Sequence, residues 1–78
     1  MKKPVFDQRG FNHEVGLRVM VARKVKKLTQ AKLGERIGIT RCQLANMESG
    51  RSRWALDQVW RAAIILQIPI SSLIPERQ

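Results

Sequence analysis

The chain reads as an all-α domain, five compact helices behind a short N-terminal arm. Three observations carry that expectation. Apolar residues recur at intervals of three and four, the spacing of one helix face, across most of residues 15–73. Residues 29–50, TQAKLGERIGITRCQLANMESG, hold the start and stop signals of two short helices in immediate succession. Finally, 78 residues with 44% hydrophobic content suffice for one small helical core and little more. No sheet, internal repeat or low-complexity tract is expected.

Residues 1–13 (MKKPVFDQRGFNH) show neither a helical nor a strand period, and Pro4 and Gly10 interrupt them. They form the arm, with residues 14–78 as the folded domain. A disordered tail is one reading of the arm. Val5, Phe6 and Phe11 are unusual in a free tail and support the other, in which it packs on the body or on a partner. Helix 1 is expected over about 14–27, with Val15, Val19 and Ala22 inward. Leu17, Met20 and Val21 make a second apolar stripe on its other side, for which the arm's aromatics are the nearest cover.

Thr29 is placed to cap helix 2, over about 30–37, where Leu33 and Ile37 stand four apart. Gly38 offers the φ > 0 geometry that ends it, and Ile39 then plugs inward. Thr40 is the N-cap candidate of helix 3, over about 41–48, with Leu44 and Met47 three apart on its buried face. Gly34 permits a close crossing of the two. This is a helix-turn-helix layout, whose second helix can enter a DNA major groove. The loop SGRSRW follows, turning at Gly50. Helix 4 is expected over about 55–67, with Leu56, Val59, Ala63 and Leu66 inward. Pro69 prevents its continuation, and 71–74 is expected as a short fifth helix before a polar end.

Lys and Arg total 15 against 6 acids, a net charge of +9. Such an imbalance suggests a polyanionic partner, although small basic proteins also bind membranes and acidic proteins. No apolar run approaches the ~20 residues of a membrane span, and residues 1–13 lack a signal peptide's hydrophobic region, so a cytoplasmic location is expected. One cysteine excludes an internal disulfide and a cysteine-rich zinc site. His13 is isolated and reads as a surface or cap residue. No metal or cofactor is expected. The acids Asp7, Glu14, Glu35, Glu48, Asp57 and Glu76 are scattered and no Gly-rich phosphate loop occurs, so no enzymatic activity is expected.

Arg23, Leu28-Thr29-Gln30, Leu33-Gly34, Gly38-Ile39, Leu44, Met47 and Glu48-Ser49-Gly50 together resemble the pattern of the Cro/repressor-type (XRE) regulators. The similarity covers about residues 15–74, from Val15-Gly16 to Leu73. Three positions depart from the family: Lys27 stands for the usual Gly after helix 1, Gly34 for Ala, and Gln67 for the Gly that ends helix 4. None touches the apolar skeleton. The resemblance implies a five-helix repressor-like DNA-binding domain.

It places base-reading residues at Arg41, Cys42 and Asn46. The chemistry agrees, since Arg forks onto guanine O6 and N7 and Asn pairs with adenine N6 and N7. Cys42 suits a thymine methyl; mere packing is its alternative. By the same resemblance, Gln30, Thr40, Gln43, Ser49, Arg51 and Arg53 contact the DNA backbone, Gln30 from the first position of a helix whose free N–H groups favour phosphate. Thr40 could equally be a cap alone, and the two loop arginines merely solvated. Arg23 and Glu48 resemble the family's structural ion pair between helix 1 and the end of helix 3.

The expected function is sequence-specific transcriptional regulation, as a repressor bound to a palindromic operator as a homodimer. Trp60 and Ile64, four apart on helix 4, followed by Ile68, Pro69 and Ile70, are the expected dimer surface. The alternative there is packing under the arm or the tail. The rival function is an antitoxin, which would bind a toxin as well as its own promoter. Activation is weaker, because Glu35 stands alone among Lys32 and Arg36 where an acidic patch would be needed. RNA binding lacks its usual aromatic or loop motifs.

Overall fold

Asp7 starts the first helix. Its carboxylate accepts from the Gly10 backbone N–H at 3.1 Å, and Gly10 carries no Cβ to obstruct that carboxylate. In this computed structural model, which describes residues 7–75, α1 therefore spans Gln8–Val25. It begins well before the expected residue 14, and residues 8–13 are its first turns instead of an arm. Gly10 was read as an interruption, yet it lies in the first turn, where it lets the cap close. Phe11 packs against the core, and buried Asn12 accepts from Gln8 Nε2 at 3.0 Å. The remaining arm expectations, at Pro4, Val5 and Phe6, fall outside the described residues, as does the polar end at 76–78.

α1 ends where Lys27 turns left-handed, at φ 59°, and Leu28 N–H donates back to Arg23 O at 3.1 Å. A side chain in that conformation costs roughly 1 kcal/mol or more, which is why glycine is favoured after a helix. Lys27→Gly should therefore raise stability by about 0.5–1 kcal/mol, the added freedom of the unfolded glycine offsetting part of the gain. In a domain of this size that is a rise in Tm of about 3–6 °C, readable by thermal circular dichroism. An unchanged or lower Tm would mean that the lysine is not strained. Gln67 holds the equivalent position after the fourth helix, also at φ 59°.

α2 (Gln30–Ile37) and α3 (Arg41–Glu48) follow, then α4 (Leu56–Leu66) and one 3-10 turn over Ile70–Ser72. The described residues thus contain four α-helices, and the expected fifth is this single turn. Pro69 and Pro75 bracket it, and neither proline allows a preceding helical residue to propagate.

The core joins Val15 and Val19 of α1, Leu33 and Ile37 of α2, Leu44 of α3, the α4 face Val59, Ala62, Ala63 and Leu66, and Leu73. Leu56, expected inward, is 77% exposed. Trp54 takes that end of the core instead, half-buried against the cluster with its Nε1–H donating to Met47 O at 3.1 Å. Nor is the second α1 stripe fully covered among the described residues: Phe11 faces the core, while Leu17 and Val21 stay exposed and Met20 half-buried.

Two glycines set the helix crossings. A Cβ on Gly34 would come within 2.9 Å of Ile39 O, so α2 and the turn meet backbone to backbone. A Cβ on Gly16 would run into the carbonyl oxygens of Met47 and Glu48, the last residues of α3. α1 thereby presses directly on the end of α3.

Candidate nucleic-acid interface

α3 carries a buried side, Leu44, Met47 and Glu48, and an exposed side holding Arg41, Cys42, Gln43 and Asn46. Its start is fixed by a reciprocal cap. Thr40 Oγ1 accepts from Gln43 N–H at 3.0 Å, and Gln43 Oε1 accepts from Thr40 N–H at 2.8 Å. Both side chains expected at the DNA backbone are thus already engaged in shaping the helix, leaving the Thr40 hydroxyl hydrogen and the Gln43 amide nitrogen as outward donors.

The end of α3 is tied by a buried charge network. Arg23 and Glu48 meet as a fork, Nε to Oε2 at 2.7 Å and Nη2 to Oε1 at 3.1 Å, with both side chains almost wholly buried. Arg23 Nη1 also donates to Leu28 O at 2.7 Å. Gln30 joins the same carboxylate, its Nε2 donating to Glu48 Oε1 at 3.0 Å. Gln30 therefore stands at the first position of α2 with its amide turned to the end of α3, so the two helices are locked to one another. The network leaves no buried side-chain polar atom unsatisfied among the described residues.

The loop after α3 is held by Asn46 O, which accepts from Ser49 Oγ at 3.0 Å, Arg51 N–H at 2.9 Å and Ser52 N–H at 3.2 Å. Gly50, at φ 87°, packs its backbone against His13 of α1. Ser49, Arg51 and Arg53 are exposed on this fixed loop beside the exposed side of α3. Arg41, Cys42, Asn46, Arg51 and Arg53 are all solvent-exposed, and none of these five takes part in an ion pair among the described residues.

Sequence reasoning missed Trp54, whose indole staples the loop to Met47 O, and Arg61, whose Nη1 donates to Ile37 O at 3.1 Å and ties α4 to the end of α2. A tryptophan directly after a charged loop was the available signal for the first. A long-range bond to a helix-end carbonyl leaves no local signal for the second.

The residues assigned to a dimer surface lie elsewhere. Trp60 is 57% and Ile64 62% exposed on α4, Pro69 is exposed, and Ile68 and Ile70 are half-buried. Trp60, Ile64, Ile68 and Ile70, with Ala63, line a shallow recess of about 200 Å³.

The helix-turn-helix family model matches residues 19–73. An immunity repressor protein of Bacillus phage phi105 is 36% identical over 62 residues, covering 80% of this chain and 43% of that protein. An HTH-type transcriptional regulator of Sinorhizobium medicae is 35% identical over 57 residues, covering 73% of this chain and 41% of its own. The chain thus spans less than half the length of either relative. Among solved structures, a restriction–modification controller protein from Aeromonas hydrophila superposes with a TM-score of 0.74 at 26% identity, over 80% of this chain and 94% of that one. A match over residues 19–73 that contains the whole α2–turn–α3 unit settles its kinship, and the chain belongs to the Cro/repressor-type (XRE) helix-turn-helix family.

Proposed function

We propose that this chain is a sequence-specific DNA-binding regulator of transcription, a repressor that binds a palindromic operator as a homodimer. One observation supports it above the rest. α3 presents Arg41, Cys42 and Asn46 to solvent while its start is capped and its end is clamped by Arg23, Glu48 and Gln30. A helix held at both ends loses little freedom on entering a groove, and base discrimination needs side chains on such a rigid element. Arg41 and Asn46 then read base edges, Cys42 touches a thymine methyl, and the Thr40 hydroxyl, the Gln43 amide, Ser49, Arg51 and Arg53 hold phosphates. Gln30 contributes chiefly by bracing Glu48 and by lining up the N–H groups of α2 toward the backbone. The net charge of +9 supplies the sequence-independent attraction.

The test starts from a duplex selected out of a random pool. Arg41→Ala should weaken that duplex by about 1–3 kcal/mol per half-site, roughly ten- to a hundredfold, and random DNA far less. Equal losses on both would reduce Arg41 to a phosphate contact.

Two-fold pairing through Trp60, Ile64, Ile68, Pro69 and Ile70 would set two α3 helices about 34 Å apart, matching half-sites separated by one DNA turn. Trp60 and Ile64, exposed beside a recess lined by Ala63, Ile68 and Ile70, make a contiguous apolar patch, and such patches mark interaction sites. Ile64→Glu with Ile70→Glu should give a folded monomer by sedimentation and a loss of cooperative operator binding. A double variant still dimeric and fully active would remove this surface from the interface.

A further inference from the structure

Of the outer α1 stripe that was expected to be covered, Leu17 and Val21 stay exposed and Met20 is half-buried. Leu17, Val21 and Val25 follow one another at intervals of four, at 38%, 53% and 73% exposure. They form one wall of a groove of about 450 Å³ whose opposite wall comes from Leu66, Ile68 and Leu73. The groove is larger in volume than the recess on α4 and shares only Ile68 with it. No residue of α2, α3 or the arginine loop lines it, so it is separate from the proposed DNA face.

Its charge pattern says what fits. The charged residues lining the groove are Arg18 and Lys26, both cations, about 12 Å apart along the helix axis at 1.5 Å per residue. Arg18 pairs with Glu14 at 3.1 Å and donates to Ser72 O at 3.3 Å, while Lys26 Nζ donates to Gln67 Oε1 at 3.0 Å. These are solvent-exposed contacts, worth about 1 kcal/mol or less, and a better-placed carboxylate can displace them. A second copy of the chain is a poor occupant. In an antiparallel two-fold pairing of this stripe, centred on Val21 or Ala22, Arg18 of one copy meets Lys24 or Lys26 of the other, and like charges oppose.

We propose that this groove docks an amphipathic helix of another protein, one bearing a carboxylate at each end of a short apolar stripe. Apolar side chains at the i, i+4 and i+7 positions of such a helix would sit between the α1 ridge and Ile68, as helix-in-groove recognition requires. The two carboxylates would reach Arg18 and Lys26. Docking here leaves α3 and the arginine loop open, so the partner helix and DNA can be held together. The inference uses none of the proposed base or phosphate contacts and shares only Ile68 with the proposed dimer surface.

The test uses the full chain with isotope-labelled methyl groups and two synthetic helical peptides. They share one Leu stripe and differ only in flanking Glu or Lys. The Glu peptide should bind, shift the methyl signals of Leu17, Val21, Val25 and Ile68, and bind at least about tenfold tighter than the Lys peptide. Val25→Asp, at an exposed position that the fold tolerates, should weaken it about tenfold, and Lys26→Glu should narrow the preference between the peptides. Duplex DNA should not displace it. The proposal is overturned by no binding, by equal affinity for the two peptides, or by displacement with DNA together with shifts confined to residues 41–53. A Val25→Asp variant of lower oligomeric state would overturn it as well, by making a second copy the occupant.

Discussion

Glu48→Ala should cost about 3–5 kcal/mol of folding stability and with it nearly all tight DNA binding. The carboxylate is 5% exposed, and its removal leaves the Arg23 guanidinium, 7% exposed, without the two bonds that compensate its burial. Gln30 loses its acceptor in the same step. Against the roughly 5–15 kcal/mol typical of a small domain, that loss is a large share of the margin. Urea unfolding of the variant measures it directly. A companion double variant, Arg23→Met with Glu48→Leu, separates the pair's worth from the penalty of stranding one charge. Well-packed apolar replacements of buried ion pairs are often neutral, so stability should largely return while α3 loses the brace from Gln30. A single variant that costs under about 1 kcal/mol would show that the pair is effectively solvated and that it clamps nothing.

This network was half legible in the sequence. Arg23 and Glu48 stand 25 positions apart, and only likeness to a family pattern pairs them, because no local spacing rule links them. Gln30 was read as a phosphate contact partly from its place at the start of a helix, and that place says nothing about where an amide on three rotatable bonds will point. The α2–turn–α3 unit was legible in detail, since Thr29, Gly38 and Thr40 are local signals whose effect does not depend on the rest of the chain. Elements whose limits depend on tertiary contact were not. The first turns of α1 are held by Phe11 and Asn12 packing on a body the sequence does not display, and Gly10 counts as a breaker until Asp7 is seen capping over it. Leu56 fits the α4 stripe by spacing, yet Trp54 already fills that end of the core. Helical periodicity tells which residues share a face, and the neighbouring element decides how far along the helix that face is used.

The same dependence on a neighbour makes Gly16→Ala the sharper experiment. Gly16 lies within α1, where alanine would ordinarily stabilise a helix by about 1 kcal/mol. Here the added methyl group would sit 2.8 Å from Glu48 C and closer still to the carbonyl oxygens of Met47 and Glu48. These are backbone atoms, so no rotamer change relieves the contact; α3 must tilt away or α1 must bend. The net effect should be a loss of about 3 kcal/mol, opposite in sign to the propensity. Gly10→Ala is the control, because the nearest atoms its methyl would meet belong to the Asp7 carboxylate, a side chain that can move. That variant should lose about 1 kcal/mol or less, with the cap weakened and the propensity gain in partial return. Urea midpoints of the two compare them directly, and the affinity for a selected duplex adds a second reading. A tilt of α3 carries the loop bonded to Asn46 O with it and turns both away from α2, to which Gln30 ties the helix, so affinity should fall further than stability alone explains. A Gly16→Ala protein as stable as its parent would mean that α1 and α3 can separate at no cost. The orientation of α3 would then rest on the Arg23–Glu48–Gln30 network and on its core packing.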